Sequence, residues 1–324
     1  MGATLVMSGA AVARNVSSDT ISQGSFLTDE VAYHGHLMRT GLYLENGKLK
    51  GCVLFLQGLG DSILNHEPMF RELAKAGYRT VSYDYYGQGG SSGSMNETRL
   101  ESGLPSARIK NQAKFMWRYF STNADPVRGL SCAGSRRLVI GWSTGGLAAY
   151  ELANERWAQG VVLLAPGLNI KLAVGTSAGV SNWLKLSPWG LKGTPDGGLR
   201  FARNEIITES TLTRAQWPDG YDPHVDTIKP TSPSRVPLFA TDLIVASIHS
   251  HRFKIDPSVK GLIALSGSTD TYVDRNATWA LISKNANHFD RIAYHGALHE
   301  LDNEIPSVQR DLFPRMIRLL NSVR

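Results

Sequence analysis

The 324-residue chain is 42% hydrophobic and 19% charged, the balance of a globular protein with a substantial core rather than of a disordered or repetitive one. Its net charge of +6 comes from scattered basic residues without a basic run, zinc-finger spacing or RNA-binding signature, so nucleic-acid binding is not expected. The longest apolar stretches, 161–166 and 53–56, fall far short of the ~20 residues a membrane-spanning helix needs.

The N-terminal stretch MGATLVMSGAAVARN ends a short apolar run in Ala11-Val12-Ala13, the small-x-small pattern of a signal-peptidase site, but it has no basic segment before it. It reads either as a shortened signal peptide or as a plain disordered tail, and residues 1–25 are set apart from the fold. From Gly51 onward short apolar runs alternate with helical spacing. CVLFLQG (52–58) reads as a strand. EPMFRELAKAGY (67–78) reads as a helix closed by Gly77, with Met69, Phe70, Leu73 and Ala74 on one face. RTVSYDYYG (79–87) is the next strand and ARIKNQAKFMWRYFS (107–121) the next helix. RRLVIG (136–141), LAAYELAN (147–154) and GVVLLAPG (160–167) continue the alternation. Strands that are nearly continuous apolar runs, alternating with helices, imply a mostly parallel sheet covered on both faces.

The alternation lapses over 167–258, which holds eight of the prolines, Trp183, Trp189 and Trp217, and no convincing strand. It resumes with VKGLIALSG (259–267), the helical ATWALISKNA (277–286), FDRIAYHG (289–296) and a last helix over 308–323 with Pro314 inside it. The expected organisation is an α/β core over 26–166 and 259–324, interrupted by a helical insertion over 167–258.

Gly141-Trp142-Ser143-Thr144-Gly145 fits Gly-x-Ser-x-Gly, a weak signal by itself. Its context strengthens it. An apolar strand precedes the serine and a small-residue helix follows, and a strand that turns sharply into a helix needs flanking glycines because a Cβ would collide with nearby backbone. Such a turn points the hydroxyl off the C-terminal edge of the sheet and leaves the Thr144 N–H at a helix N-terminus. A serine also needs a general base and a carboxylate to orient it. Asp270 follows the strand GLIALSG and His299 follows RIAYHG, which gives the chain order Ser143, Asp270, His299. Asp274 is the rival acid, expected a turn into the next helix where it would support the acid loop. Asp302 is expected to be a surface or loop carboxylate. His295 and His288 are expected within and before the strand, away from the catalytic edge. LQGLGDS (56–62) supplies a glycine-bearing loop after a central strand, with Gly58 preceding the Leu59 N–H that would be the second oxyanion donor. Neither this loop nor the glycines at 87–93 form a phosphate-binding or dinucleotide fingerprint.

The QGLG loop, YDYYGQGGSSG (83–93), GWSTGG, GSTDTYVD and GALHELDNE, in that order, resemble the monoacylglycerol lipase and lysophospholipase branch of the α/β-hydrolases, a serine aminopeptidase S33-like family. The resemblance covers residues 50–166 and 259–324. It implies an α/β-hydrolase fold and the triad Ser143, Asp270 and His299. The chain departs from the family at Gln57 and Gln88, where the family usually carries histidines; glutamine keeps hydrogen bonding but loses titration. In that family the insertion is a cap that forms the acyl tunnel and touches membranes. NWLKLSPWGLKG (182–193), with tryptophans and leucines among lysines, suits peripheral contact with a bilayer or packing onto the core, and packing is the preferred reading.

The topology that the resemblance implies sets Cys52 and Cys132 near the N-terminal ends of neighbouring strands. A disulfide between them is geometrically possible and would fit an exported protein, but loop separates Cys132 from its strand, and two free thiols are the expectation. Export, periplasmic or secreted, is favoured over the cytoplasm. The expected function is hydrolysis of carboxylic esters of monoacyl lipids through an acyl-enzyme. A small-ester esterase, a thioesterase, a serine peptidase or a non-catalytic binding protein of the same fold are the alternatives. No metal or organic cofactor is implied: His34-Gly35-His36 and His249-Ser250-His251 have no evident third ligand at useful spacing.

Overall fold

The structure is a computed structural model, and it describes residues 26–93, 97–122, 130–171, 236–267 and 269–323. The first element is one for which the sequence gave no expectation, a hairpin of β1 (Phe26–Tyr33) and β2 (His36–Tyr43) paired antiparallel. Its two turn residues, His34 and Gly35, have φ of 47° and 83°. Positive φ at both positions is the signature of the tight turn whose twist matches a hairpin.

The strands expected from Gly51 onward are present as β3 (Gly51–Leu56), β4 (Tyr78–Tyr83), β5 (Leu138–Trp142), β6 (Gly160–Leu164), β7 (Lys260–Ser266) and β8 (Asp290–Tyr294). Among the described residues they form one eight-stranded sheet of order β1-β2-β4-β3-β5-β6-β7-β8, parallel from β4 to β8. The helices are α1 (Glu67–Lys75), α2 (Ile109–Thr122), α3 (Thr144–Asn154), α4 (Val236–Ser250), α5 (Arg275–Asn285) and α6 (Pro306–Ser322). This is the mostly parallel, helix-covered sheet that the alternating pattern implied, and the α/β-hydrolase architecture that the resemblance implied.

Strand periodicity divides the core in two. Leu54, Leu56, Val139, Val161, Leu163, Ile263 and Leu265 face one way and pack with Met116 of α2 and Leu147 of α3. Val53, Phe55, Leu138, Ile140, Val162, Leu164 and Leu262 face the other way, against Phe70 of α1 and Leu312 and Met316 of α6. Both faces are covered, so the central strands are buried at every position and show no polar alternation. After β3 the chain crosses to β4 on one side, whereas β5 lies on the other. The crevice outside the carboxyl ends of β3 and β5 is therefore the switch point where such sheets bind ligands.

Most of the interval expected as a cap, residues 172–235, lies outside the described residues, including the 182–193 stretch. Its distal part is α4, which packs on α3 and places Phe239, Leu243 and Ala246 in the core cluster. Its buried residues, Phe239, Asp242, Leu243, Ala246, Ser247 and Ser250, share one face, but the exposed face also carries apolar Val245 and Ile248, so hydrophobicity alone shows no one-sided stripe.

The expectation of free thiols is corrected. Cys52 and Cys132 form a disulfide, with Cα atoms 5.7 Å apart, and none of the described cysteines is free. The intervening loop does not separate them because it is tethered. Arg79, opposite Cys52 in the sheet register, donates to the Ser131 carbonyl at 3.1 Å while its other nitrogens hold Glu45, and the Cys132 N–H donates to the Phe120 carbonyl at the end of α2. The bridge spans 80 residues of sequence. Reduction, or the pair Cys52→Ala and Cys132→Ala, is expected to cost about 2–4 kcal/mol in urea unfolding. Two titratable thiols in the native, unreduced protein would contradict the pairing.

Candidate active site

Ser143 stands between the end of β5 and the start of α3 with φ 52° and ψ −114°, a conformation that an L-residue adopts at a cost of about 1–3 kcal/mol. Three backbone hydrogen bonds hold it there. Its N–H donates to the Leu164 carbonyl at 2.9 Å, and its own carbonyl accepts from Gly167 at 2.8 Å and Leu147 at 3.1 Å. The flanking glycines are required by close approach. A Cβ on Gly145 would lie 2.0 Å from the Leu56 carbonyl oxygen, and one on Gly141 would lie 2.3 Å from the Gly145 carbonyl oxygen. The tight turn presses the first turn of α3 against the ends of β3 and β5, so Ser143 is half-exposed while its neighbours are buried.

The three residues that the sequence singled out meet at this point. Ser143 Oγ is 2.8 Å from His299 Nε2, and His299 Nδ1 is 2.9 Å from Asp270 Oδ2. With the imidazole neutral and its proton on Nδ1, the ring donates to Asp270 and accepts the serine hydroxyl proton on Nε2. Asp270 follows β7, and its Oδ1 accepts from the Tyr272 and Val273 N–H groups at 2.7 and 3.0 Å. Burial alone would raise this carboxyl; the facing His299 and the two backbone donors outweigh it and hold the group below the ordinary aspartate value. His299 lies in the loop after β8. Its carbonyl accepts from Trp142 Nε1 at 3.0 Å, and the rings of Trp142 and Tyr272 flank it at 5.4 and 5.1 Å between centroids.

The loop after β3 lies on the other side of the serine. Leu59 is buried there, and Gly58 packs so closely on Trp142 that a Cβ would lie 2.4 Å from the indole. Gln57 Nε2 donates to the Asp61 carbonyl, and Gln88 Oε1 accepts from the Gly60 N–H, both at 2.8 Å. The glutamines at these two positions thus brace the loop through neutral hydrogen bonds. Asp84 and Arg39 reach it from below: Asp84 accepts from the Ile63 N–H, and Arg39 donates to Ser62 Oγ. Thr144 is the first residue of α3, where an N–H has no acceptor within its own helix.

Other expectations need correction. Asp274 does not lie a turn into a helix: it is the N-cap of α5, its side chain accepting from the Ala277 N–H at 2.9 Å. Asp302 is not a surface carboxylate. It is fully buried, with Oδ2 2.6 Å from His66 Nδ1, and the other ring nitrogen of His66 is 2.5 Å from Asp61. The sequence gave no sign of this cluster, because its members come from segments 236 residues apart. His295 lies just beyond β8 rather than within it, and His288 contacts the Val259 carbonyl. In the two His-x-His segments, His36 pairs with Glu97, His249 with Glu101, and His251 with the Leu168 carbonyl.

Among the described residues Asp61, His66 and Glu300 bring one ligand atom each within 4.8 Å of one another. Both nitrogens of the His66 ring face carboxylates, and as an imidazolium donating to both the ring has no lone pair to give a cation.

The model of a family described as serine aminopeptidase S33 matches residues 47–306. A comparison with curated protein sequences finds no match. Solved structures share the fold at low identity. A monoacylglycerol lipase from Paleococcus ferrophilus is 16% identical with a TM-score of 0.61, covering 89% of this chain and 99% of that one. A soluble variant of monoglyceride lipase from Saccharomyces cerevisiae, in complex with a substrate analog, is 15% identical with a TM-score of 0.66, covering 94% and 98%. A thermostable carboxyl esterase from Bacillus coagulans is 13% identical with a TM-score of 0.63, covering 92% and 99%.

Two expected outcomes follow from the site's geometry. Gly145→Ala is expected to destabilise the chain by on the order of 1–3 kcal/mol or more, because the new methyl meets backbone rather than a movable side chain; a change in urea midpoint within error would contradict this. The lowered pKa of Asp270 contributes stability that is present above the unfolded value near ~3.9 and is lost as pH falls through the folded value. Acid unfolding of Asp270→Asn should therefore lack a component, below about pH 4, that the parent shows.

Proposed function

The chain belongs to the serine aminopeptidase S33 family, and we propose that within it this protein is a serine carboxylester hydrolase acting on monoacyl lipids. The observation that carries the proposal is the unbroken line from Asp270 through His299 to Ser143, at 2.9 and 2.8 Å, ending on a serine held in strained backbone. A hydroxyl at its ordinary acidity is a poor nucleophile, and this line supplies the missing base.

In the proposed reaction Ser143 Oγ attacks the ester carbonyl as its proton passes to His299 Nε2. Asp270, ionised and facing Nδ1, stabilises the resulting imidazolium and holds the ring's orientation. The carbonyl oxygen becomes an oxyanion, and the Leu59 and Thr144 N–H groups receive it. Each such donor contributes on the order of 3 kcal/mol to lowering the barrier. His299 then returns the proton to the departing alcohol oxygen. Water, deprotonated by the same ring, attacks the acyl-enzyme and releases the acid and free Ser143.

The substrate class is supported by the order of the five sequence motifs and by similarity to chains described as monoacylglycerol lipases. The similar carboxyl esterase favours short esters as the second reading. The cap, residues 167–258, is proposed to form the acyl site, with its Trp- and Lys-bearing stretch at 182–193 available for peripheral contact with a bilayer. Export to an oxidising compartment is also proposed, and the Cys52–Cys132 disulfide supports it.

A fluorophosphonate probe is expected to label Ser143, and Ser143→Ala to lower kcat/KM by about 10^4-fold or more. Against p-nitrophenyl esters of increasing length, kcat/KM should rise from acetyl towards medium chains, with monoacylglycerol also cleaved. No adduct on the folded protein would overturn the hydrolase reading, and a strong preference for acetyl would overturn the lipid assignment in favour of short esters.

A further inference from the structure

A buried cluster outside the reacting groups joins the two loops on which the proposed chemistry depends. Asp61 lies two residues after Leu59, and Asp302 lies three residues after His299. Between them stands His66, fully buried at the end of the short helical turn Ile63–His66, with Nε2 2.5 Å from Asp61 Oδ2 and Nδ1 2.6 Å from Asp302 Oδ2.

Proton counting limits the states of this arrangement. A neutral imidazole has one N–H and one lone pair, so with both carboxylates ionised it would aim its lone pair at a carboxylate oxygen. An imidazolium donates to both. Burial alone would lower the affinity of the ring for its proton, but the two facing carboxylates outweigh it and hold His66 well above the ordinary histidine value. The other charged group nearby is Glu300, from the same loop as Asp302, whose carboxylate lies within 4.8 Å of the Asp61 and His66 ligand atoms. Three uncharged rings also lie near it, Phe55 at 4.4 Å, Trp142 at 5.7 Å and Phe70 at 6.3 Å between centroids.

Further hydrogen bonds run across the same seam. Asn65 Nδ2 donates to Asp61 Oδ1 at 2.7 Å, and Asn303 Nδ2 donates to the Asn65 carbonyl at 2.9 Å. Gln309 Nε2 holds the Asp302 carbonyl at 2.9 Å. Trp142 stacks between His66 and His299 and donates to the His299 carbonyl. The loop bearing the oxyanion donor and the loop bearing the base are thus fastened to one charged ring.

We propose that the Asp61–His66–Asp302 bridge is a positioning device, a buried imidazolium that fixes the Leu59 N–H relative to His299 and thereby sets the turnover rate. His66 touches neither substrate nor Ser143. The role rests on the hydrolase reading given above. Loss of the bridge loosens the geometry of attack and oxyanion capture together, so it acts on kcat more than on KM. The sign of the pH effect follows from the raised affinity for the proton. The bridge is intact below the unfolded histidine value of ~6.5 and is lost as pH rises through the folded value.

The test compares the full-length parent chain with His66→Gln and Asp302→Asn. On a p-nitrophenyl ester, His66→Gln should lower kcat on the order of 10- to 100-fold with KM changed less than about threefold. Asp302→Asn leaves the imidazolium one carboxylate, so the alkaline fall of kcat should move to lower pH; a merely structural role would lower the melting temperature without moving that profile. Nitrogen-15 NMR of the parent, which requires no variant to fold, should show both His66 ring nitrogens protonated at pH 8. A neutral His66 ring at pH 7, or kcat within twofold of the parent and an unmoved pH profile in the folded variants, would overturn the proposal. Absence of a fluorophosphonate adduct on the parent would instead overturn the hydrolase reading and the positioning role with it, while an adduct on a parent whose folded variants turn over normally would overturn the positioning role alone.

Discussion

The close approach of α3 to the ends of β3 and β5 is the constraint on which the rest of the site depends. Gly145 lies where any side chain would strike the Leu56 carbonyl, and Gly141 lies where any side chain would strike Gly145. Only with both positions bare does the chain turn sharply enough to leave Ser143 at φ 52°. The strained residue is kept in place by hydrogen bonds to β6 and to the segment that leaves it, so the scaffold over-determines a conformation that is unfavourable in isolation. From that turn follow the exposure of the hydroxyl, the position of the Thr144 N–H at a helix start, and the proximity of the serine to the loop after β3.

The parallel sheet does the rest by delivering four distant segments to one edge. The ends of β3, β5, β7 and β8 lead into the proposed oxyanion loop, Ser143, Asp270 and His299 in turn. Charge is arranged as carefully as position. Asp270 is kept ionised in a buried site by His299 and two backbone donors, so the compensation for its burial is also what orients the base. A carboxylate–histidine–carboxylate bridge, Asp61–His66–Asp302, lies across the Trp142 indole from His299 and joins the loop after β3 to the loop that carries that residue. The two histidines have opposite surroundings. His299 faces one carboxylate and a hydroxyl; His66 faces two carboxylates, which hold its proton.

What was legible in the sequence is what depends on local pattern and chain order. The apolar runs marked β3 to β8, and the glycine-flanked serine between strand and helix, with an aspartate and a histidine each just beyond a later strand, gave the three residues that the structure brings together. The rest depends on contacts without local signature. Asp302 reads as a loop carboxylate because nothing near it in sequence reveals His66, and His66 carries no signal because this partner lies 236 residues away. The disulfide turned on whether a loop was tethered, which Arg79 decides from a different strand. Helix α4 lacks a legible amphipathic stripe because apolar Val245 and Ile248 stand on its exposed face while Asp242, Ser247 and Ser250 are buried, and the β1–β2 hairpin has only one His-Gly turn to mark it.

Formation of an ester on Ser143 is the central step of the proposed reaction, and it is directly observable. Acid quench of the protein during turnover of a medium-chain p-nitrophenyl ester, followed by peptide mass analysis, should find the peptide containing Ser143 heavier by the mass of the carboxylic acid less one water. Sustained turnover with no acyl group on that peptide, or with the acyl group on another residue, would contradict the assignment of Ser143 as the nucleophile.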